Sequence, residues 1–175
     1  STRKESSAAS DVYKRQGLPT RRFAFEAFLP MDKKERREVL QELVDETRTI
    51  IIYEAPHKLV KTLKDLKETL GNRRITLCRE LTKKHETAFR TTIDQLIACY
   101  ENEKPLGECV LVIEGKSRQE LKKEAEASWE EISIEEHMEI YESKGLSRKD
   151  AMKQVAKDRG VSKREIYQYL VNGEK

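Results

Sequence analysis

The apolar positions of this chain change period several times, and the changes mark out its elements. Phe23 and Phe25 stand at strand spacing in the run Phe23–Leu29, which stops at Pro30. Val39, Leu40 and Leu43 then recur at helical spacing behind Asp32, an N-cap residue with Glu35 three positions on, predicting a helix to about Asp45. Thr49–Tyr53 is a buried-strand run. After it, Pro56 opens a helix whose inner stripe is Leu59, Leu63, Leu66 and Leu70, with Gly71 placed to stop it. Ile75–Cys78 reads as a strand and Ala88–Thr91 as a short one. Thr92 caps a helix bearing Ile93, Leu96, Ile97 and Tyr100, and Pro105 and Gly107 turn the chain into a last strand, Cys109–Ile113. This alternation of strand and helix predicts an α/β layer around a parallel or mixed sheet.

Beyond Gly115 the strand signal disappears. Ile134, Met138 and Tyr141 predict one helix ending near Gly145. Ser147 caps a second with Ala151, Val155 and Ala156 inward, and Gly160-Val161-Ser162 leads into a third with Ile166, Tyr167 and Leu170. The spacing resembles a helix-turn-helix, with Gly160 supplying the turn, Val161 a staple and Ser162 the cap. DNA binding does not follow from that pattern, since such modules also serve RNA docking and protein contacts.

Charge refines the division. Charged residues make up 38% of the chain and apolar ones 37%, so the core is modest and the surface densely ionic. The net charge of +3 does not by itself demand a nucleic-acid partner, but its distribution is uneven. Glu120 to Glu142 holds nine Glu against two Lys, whereas Arg148 to Lys175 holds eight Lys/Arg against four Asp/Glu. The asymmetry suggests an acidic linker or helix, placed over residues 117–130, ahead of a helix-turn-helix-like domain over 131–172 whose part from Arg148 onward is the basic module. Residues 1–16 lack apolar periodicity and read as a disordered leader, non-native in part, because Ser10–Gln16 resembles translated adapter sequence. Cys78, Cys99 and Cys109 show no CxxC spacing, which argues against a disulfide framework or a zinc site and fits a reducing compartment. No apolar run approaches the roughly 20 residues that span a membrane, and the expected location is the cytoplasm.

The chemistry concentrates at two strand ends. Thr49–Tyr53 runs straight into Glu54-Ala55-Pro56-His57-Lys58, and Ile75–Cys78 into Arg79-Glu80-Leu81-Thr82-Lys83, closed by Glu86. Open α/β sheets bind ligands outside the C-terminal ends of their strands, so two such tips point to one shared site. Glu54 and Glu80 are the candidate catalytic groups: either could accept a proton or anchor a substrate amine, and a base would need a pKa raised by burial. Arg79 and Lys83 could neutralise phosphates or pair with Glu80 and Glu86. His57 and Lys58 are candidate substrate contacts, as are Lys163 and Arg164 in the basic tail. Pro56 fixes how the helix leaves the strand, and hence where His57 and Lys58 point. His137, in the acidic stretch, is given no chemistry.

In order, Gly17-Leu18-Pro19-Thr20, Tyr53–Lys58, Arg79–Lys83 and Gly107–Gly115 resemble the C-terminal half of the bacterial 16S ribosomal RNA cytidine 2′-O-methyltransferase family, built on the tetrapyrrole-methylase fold. Arg21, Ala55 and Lys58 depart from it, since the family usually has an acidic residue, Ser and often Arg there. The resemblance implies that residues 17–116 form the C-terminal half of the methylase domain, with a mixed sheet of about five strands. It implies S-adenosylmethionine as cofactor, without a metal, bound between this half and a preceding domain carrying a glycine-rich loop. None of the seven glycines here forms a GxG pair. Tyr53, which closes an otherwise aliphatic strand, is expected on the cofactor side with Pro56 and Thr82. The implied partners are 16S ribosomal RNA in the small subunit and a second copy of the full-length enzyme. A small-molecule tetrapyrrole methylase of the same fold and a helix-turn-helix regulator are the competing readings. The basic tail argues against the first, and the two strand-tip motifs against the second.

Overall fold

The computed structural model describes residues 17–19, 21–103 and 105–173. The leader, and Thr20 of the first motif, lie outside the described residues. The chain divides into two compact units between Lys116 and Ser117.

The first unit is built on five strands: β1 (Phe23–Phe28), β2 (Thr49–Glu54), β3 (Arg74–Arg79), β4 (Thr87–Thr92) and β5 (Cys109–Ile113). Their spatial order is β1-β2-β5-β3-β4. Only β1–β2 is parallel; β2–β5, β5–β3 and β3–β4 are antiparallel, so the sheet is mixed. The helices are α1 (Lys33–Glu42), α2 (Leu59–Leu70), entered through a 3-10 turn at Pro56–Lys58, and α3 (Ile93–Tyr100). Their ends follow from local chemistry. The Asp32 carboxylate accepts from the amides of Lys34 and Glu35, the Thr92 hydroxyl accepts from Gln95 N, and Gly71 ends α2 at φ +80°.

Strand alternation then sorts the side chains. Ile50 and Ile52 of β2, Ile75 and Leu77 of β3, and Leu111 and Ile113 of β5 share one face, where Leu59, Leu63 and Leu66 of α2 and Leu96 of α3 cover them. On the opposite face Cys78 and Val112 are buried beneath Leu18, and Thr49 Oγ1 donates to the Pro19 carbonyl at 2.7 Å. The Gly17-Leu18-Pro19 motif is therefore a cover for that face. Nearby, Phe25 and Phe28 pack edge-on against the Tyr53 ring, at 5.1 and 5.8 Å between centroids.

The second unit holds α4 (Arg118–Ser128), α5 (Ile134–Ser143), α6 (Arg148–Asp158) and α7 (Lys163–Gly173). Of the two forms expected for the acidic stretch, linker or helix, the structure has the helix, α4. Ser117 and Glu120 close a capping box there, and no residue of that helix is buried, so no apolar stripe announced it. Met138, Ala151, Val155, Ala156 and Ile166 form a small core. Gly160 turns the chain at φ +66°, and the Glu126 side chain lies where a Cβ would stand. Val161 is not the expected staple. Its side chain is 40% exposed, and its amide closes the turn by donating to the Ala156 carbonyl at 3.0 Å.

His137 is fully buried, stacked on Trp129 at 3.9 Å, with Tyr141 on its other side at 5.5 Å. Arg159 Nε donates to His137 Nδ1 at 3.2 Å while its Nη2 reaches the carbonyls of Ile132 and Ser133, so Arg159 joins helices rather than facing solvent. Tyr141 donates its hydroxyl to Asp158 at 2.5 Å, and that carboxylate lies 3.3 Å from His137 Nε2. Burial first, then the adjacent Arg159, pushes the His137 pKa below its ordinary value, with Asp158 opposing. The unfolded chain therefore takes up the His137 proton first as pH falls. This contribution to stability is complete above the unfolded value of about 6.5 and is lost below it, towards the depressed folded value. The thermal midpoint of the helical unit is expected to drop between about pH 7 and pH 5, and less steeply in His137→Phe. An identical slope in the two proteins would remove His137 as the cause.

Candidate active site

The two motif-bearing strands leave the sheet at the same edge. β2 and β3 flank β5 and both run antiparallel to it, and Glu54 and Arg79 both register with Cys109, the first residue of β5. The strand tips are thus neighbours across a single strand, as a shared site requires.

Glu54 faces the helical side and is 6% exposed. Thr62 of α2 donates its hydroxyl to Glu54 Oε2 at 2.5 Å, and the Ala55 amide donates to Oε1 at 2.8 Å. Arg36 of α1 donates to the Thr62 hydroxyl at 2.8 Å and pairs with Asp65 at 2.8 Å. A buried carboxylate held this way satisfies its lone pairs and locks the first turn of α2 against the strand tip. Arg36 also floors a groove between α1 and α2 that Lys33, Arg37 and Lys61 line.

Glu80 begins a loop with two non-glycine residues in the left-handed region, Glu80 at φ +49° and Thr82 at φ +65°. Such conformations cost free energy unless neighbours over-determine them. Here Glu80 N donates to the Glu108 carbonyl at 3.2 Å and Glu80 Oε1 accepts from Glu108 N at 2.9 Å, so the two residues exchange hydrogen bonds. Lys83 Nζ bridges Glu80 and Glu108, at 3.3 Å from each carboxylate. The Thr82 amide donates to Glu86 at 2.9 Å, and Arg79 Nε donates to the Leu106 carbonyl at 2.9 Å. Gly107, at φ +82°, has the Glu80 side chain where a Cβ would stand, so only glycine admits this contact without displacement. The 79–86 loop and the turn into β5 form one clamped unit.

The Glu108 amide, and after it Lys83, hold the Glu80 pKa below the ordinary carboxylate value. That is the opposite of the upward shift a general base requires. Both carboxylates expected to be catalytic carry bonds that set loop geometry. The physical reason is that each has a close donor on a neighbouring element, Thr62 for Glu54 and Glu108 for Glu80. Burial raises the Cys109 thiol to about 11, which leaves it protonated and inert near neutrality.

The remaining expected site residues lie around these tips. Tyr53 is on the face opposite Glu54, 36% exposed, its ring braced by Phe25 and Phe28. Cys78 registers with Tyr53 through Val110, so the loop bearing Thr82 starts one strand away. Pro56 sits at the start of the 3-10 turn that carries exposed His57 and half-buried Lys58, and Lys58 Nζ lies 2.7 Å from Met31 Sδ. Lys163 and Arg164 are exposed in the first turn of α7, in the helical unit. Sequence reasoning missed Thr62, Arg36 and Glu108. Only Glu108 carried a signal, as a member of the Gly107–Gly115 motif.

Among the described residues, no three or more His, Cys, Asp or Glu side chains are grouped to hold a metal, and no helix is long and apolar enough to cross a membrane.

The five-stranded mixed sheet and its covering helices make this an α/β unit, and comparison with known proteins sharpens the assignment. The model of the tetrapyrrole (corrin/porphyrin) methylases matches residues 7–97, just over half of the sequence, so the chain belongs to that family. The match starts within the segment that reads as leader. The ribosomal RNA small subunit methyltransferase I of Halalkalibacterium halodurans is 44% identical over 151 residues, covering 86% of this chain and 52% of that protein. The protein of the same name from Bacillus subtilis is also 44% identical, over 86% of this chain and 51% of its own length. The chain spans about half the length of the curated relatives it matches. Among solved structures, a cobalt precorrin-4 methyltransferase of cobalamin biosynthesis aligns at 19% identity and a TM-score of 0.43, over 62% of this chain and 48% of that one.

Proposed function

We propose that this chain is the substrate-side half of an S-adenosylmethionine-dependent enzyme that methylates the ribose 2′-hydroxyl of a cytidine in 16S ribosomal RNA. The observation that carries the reading is the 44% identity, over 86% of the chain, to proteins named for ribosomal RNA small subunit methylation. The basic stretch from Arg148 to Lys175 supports it over a small-molecule tetrapyrrole methylase, because a small planar acid needs no such surface. Two charged strand tips flanking β5 support it over a regulator.

The cofactor supplies an electrophilic methyl group and leaves as a neutral thioether. The residues of this chain bind and orient. Tyr53, Pro56 and Thr82 form the cofactor-side wall. Arg79, His57 and Lys58 face the RNA, and Lys83 braces Glu80 and Glu108. Holding donor and hydroxyl in register supplies about 7–11 kcal/mol of such a barrier, and the Glu80–Glu108 clamp is this chain's means of doing so. The full-length enzyme works in the cytoplasm as a homodimer on the small ribosomal subunit.

One wall of a cleft leaves a ligand in water. The 175-residue chain alone is therefore expected to bind S-adenosylmethionine weakly, with a dissociation constant above about 100 μM by calorimetric titration. A value near 1 μM, about −8.2 kcal/mol, would mean that this half holds a complete site.

A further inference from the structure

Among the described residues, helix α7 has a flank that its own unit leaves exposed. Ile166 is buried and Leu170 half-buried against Val155 and Met138, which fixes the inward direction. At 100° per residue, Lys163, Tyr167, Val171 and Arg164 fall side by side on the adjoining flank. Tyr167 is 58% and Val171 45% exposed, and both cations are exposed. The end of the helix that bears them is capped. Ser162 and Glu165 exchange hydrogen bonds at 2.6 and 3.2 Å, and Gly160 takes up the turn.

Two features name the occupant. Lys163 and Arg164 stand in the first turn of the helix, where the macrodipole disfavours cations, so an external anion there relieves a standing repulsion. On α6, Lys149, Lys153 and Lys157 recur every four residues, all exposed, opposite buried Ala151 and Val155. A protein partner fits such a surface poorly, because interface cores are depleted in lysine. An exposed tyrosine between cations is instead the pattern that stacks an unpaired base while the flanking charges take its phosphates. Duplex RNA offers no free base face to stack.

We infer that the Lys163-Arg164-Tyr167 strip binds single-stranded RNA, with one base stacked on the Tyr167 ring and adjacent phosphates on Lys163 and Arg164. The inference rests on RNA as the substrate class proposed above, and adds that the docking segment is unpaired.

Fluorescence anisotropy on the whole 175-residue chain tests it. The probes are a single-stranded oligocytidine of about 12 nucleotides, within the usual site size, and an RNA duplex of equal length. Tyr167→Ala is expected to weaken single-strand binding by about 5- to 150-fold without changing its salt slope, and to leave duplex binding unchanged. Tyr167→Phe, which keeps the ring, should bind like the parent. Replacing Lys163 and Arg164 with Gln should flatten the log K versus log salt slope by about 1.4, at 0.7 per phosphate contact. Parental affinity in Tyr167→Ala, equal losses on both probes, or failure of the parent chain to bind either RNA overturns the inference. Methyl transfer by a completed enzyme is a separate measurement, so the function proposed above can stand while this strip fails.

Discussion

Glu80→Ala, in an enzyme completed to the length of its relatives, lowers single-turnover methylation by about 100-fold, while Glu80→Gln stays within about tenfold of the parent. The difference follows from what Glu80 does. Its Oε1 accepts from the Glu108 amide at 2.9 Å, and a glutamine keeps an acceptor there and loses only the attraction to Lys83. Alanine releases a loop that holds Glu80 and Thr82 at positive φ, and a misplacement of about 1 Å costs on the order of 10² in rate. Were the carboxylate the base, glutamine would be as harmful as alanine, each costing about 10²–10⁴. The pH profile separates the cases as well. A carboxylate whose folded pKa is depressed supports the clamp at all pH values above its unfolded range and fails only as pH falls through the folded value. No rate change traceable to Glu80 is therefore expected near neutrality.

Leu77→Ala is expected to remove about 2–5 kcal/mol from the sheet unit, a large share of the roughly 5–15 kcal/mol that holds a domain folded, and to leave the stability of the helical unit unchanged. Leu77 is fully buried, its cluster draws only on the first unit, and Leu111 registers with it across the central strand. The single tryptophan, Trp129, lies in the helical unit against His137, so its fluorescence reports that unit alone. In urea, far-ultraviolet ellipticity should show an early transition in the variant while the Trp129 transition keeps its midpoint. A parallel shift of both signals would show that the units unfold as one.

Most of the sheet unit was legible because its residues announce themselves locally. The Leu59-Leu63-Leu66-Leu70 stripe, the Asp32 and Thr92 caps and the turn at Gly71 depend on neighbours within a few positions, and the structure keeps all of them. That the two strand tips leave at a common edge was also readable, since two strands ending in charged clusters predict one, and both register with Cys109 of the strand between them. What escaped depends on long-range contacts. Glu80 meets Glu108, and Glu54 meets Thr62, which in turn meets Arg36; no periodicity links such positions. These contacts make each carboxylate a brace for its strand tip. In the tail, helical spacing revealed Ile134, Met138, Val155 and Ile166. The burial of His137 beneath Trp129 was hidden, because a histidine among glutamates reads as surface until a tryptophan outside that helix covers it.

The most direct test of the central claim supplies the methyl donor and small ribosomal subunits lacking the modification to the enzyme completed to the length of its relatives. The 16S RNA is then digested and the label located by mass spectrometry. The account predicts one methyl group on the ribose 2′-oxygen of a single cytidine, lost when Glu80 and Gly107 are both replaced by alanine. A methyl group on a base, or no RNA methylation alongside transfer to a tetrapyrrole, would contradict it.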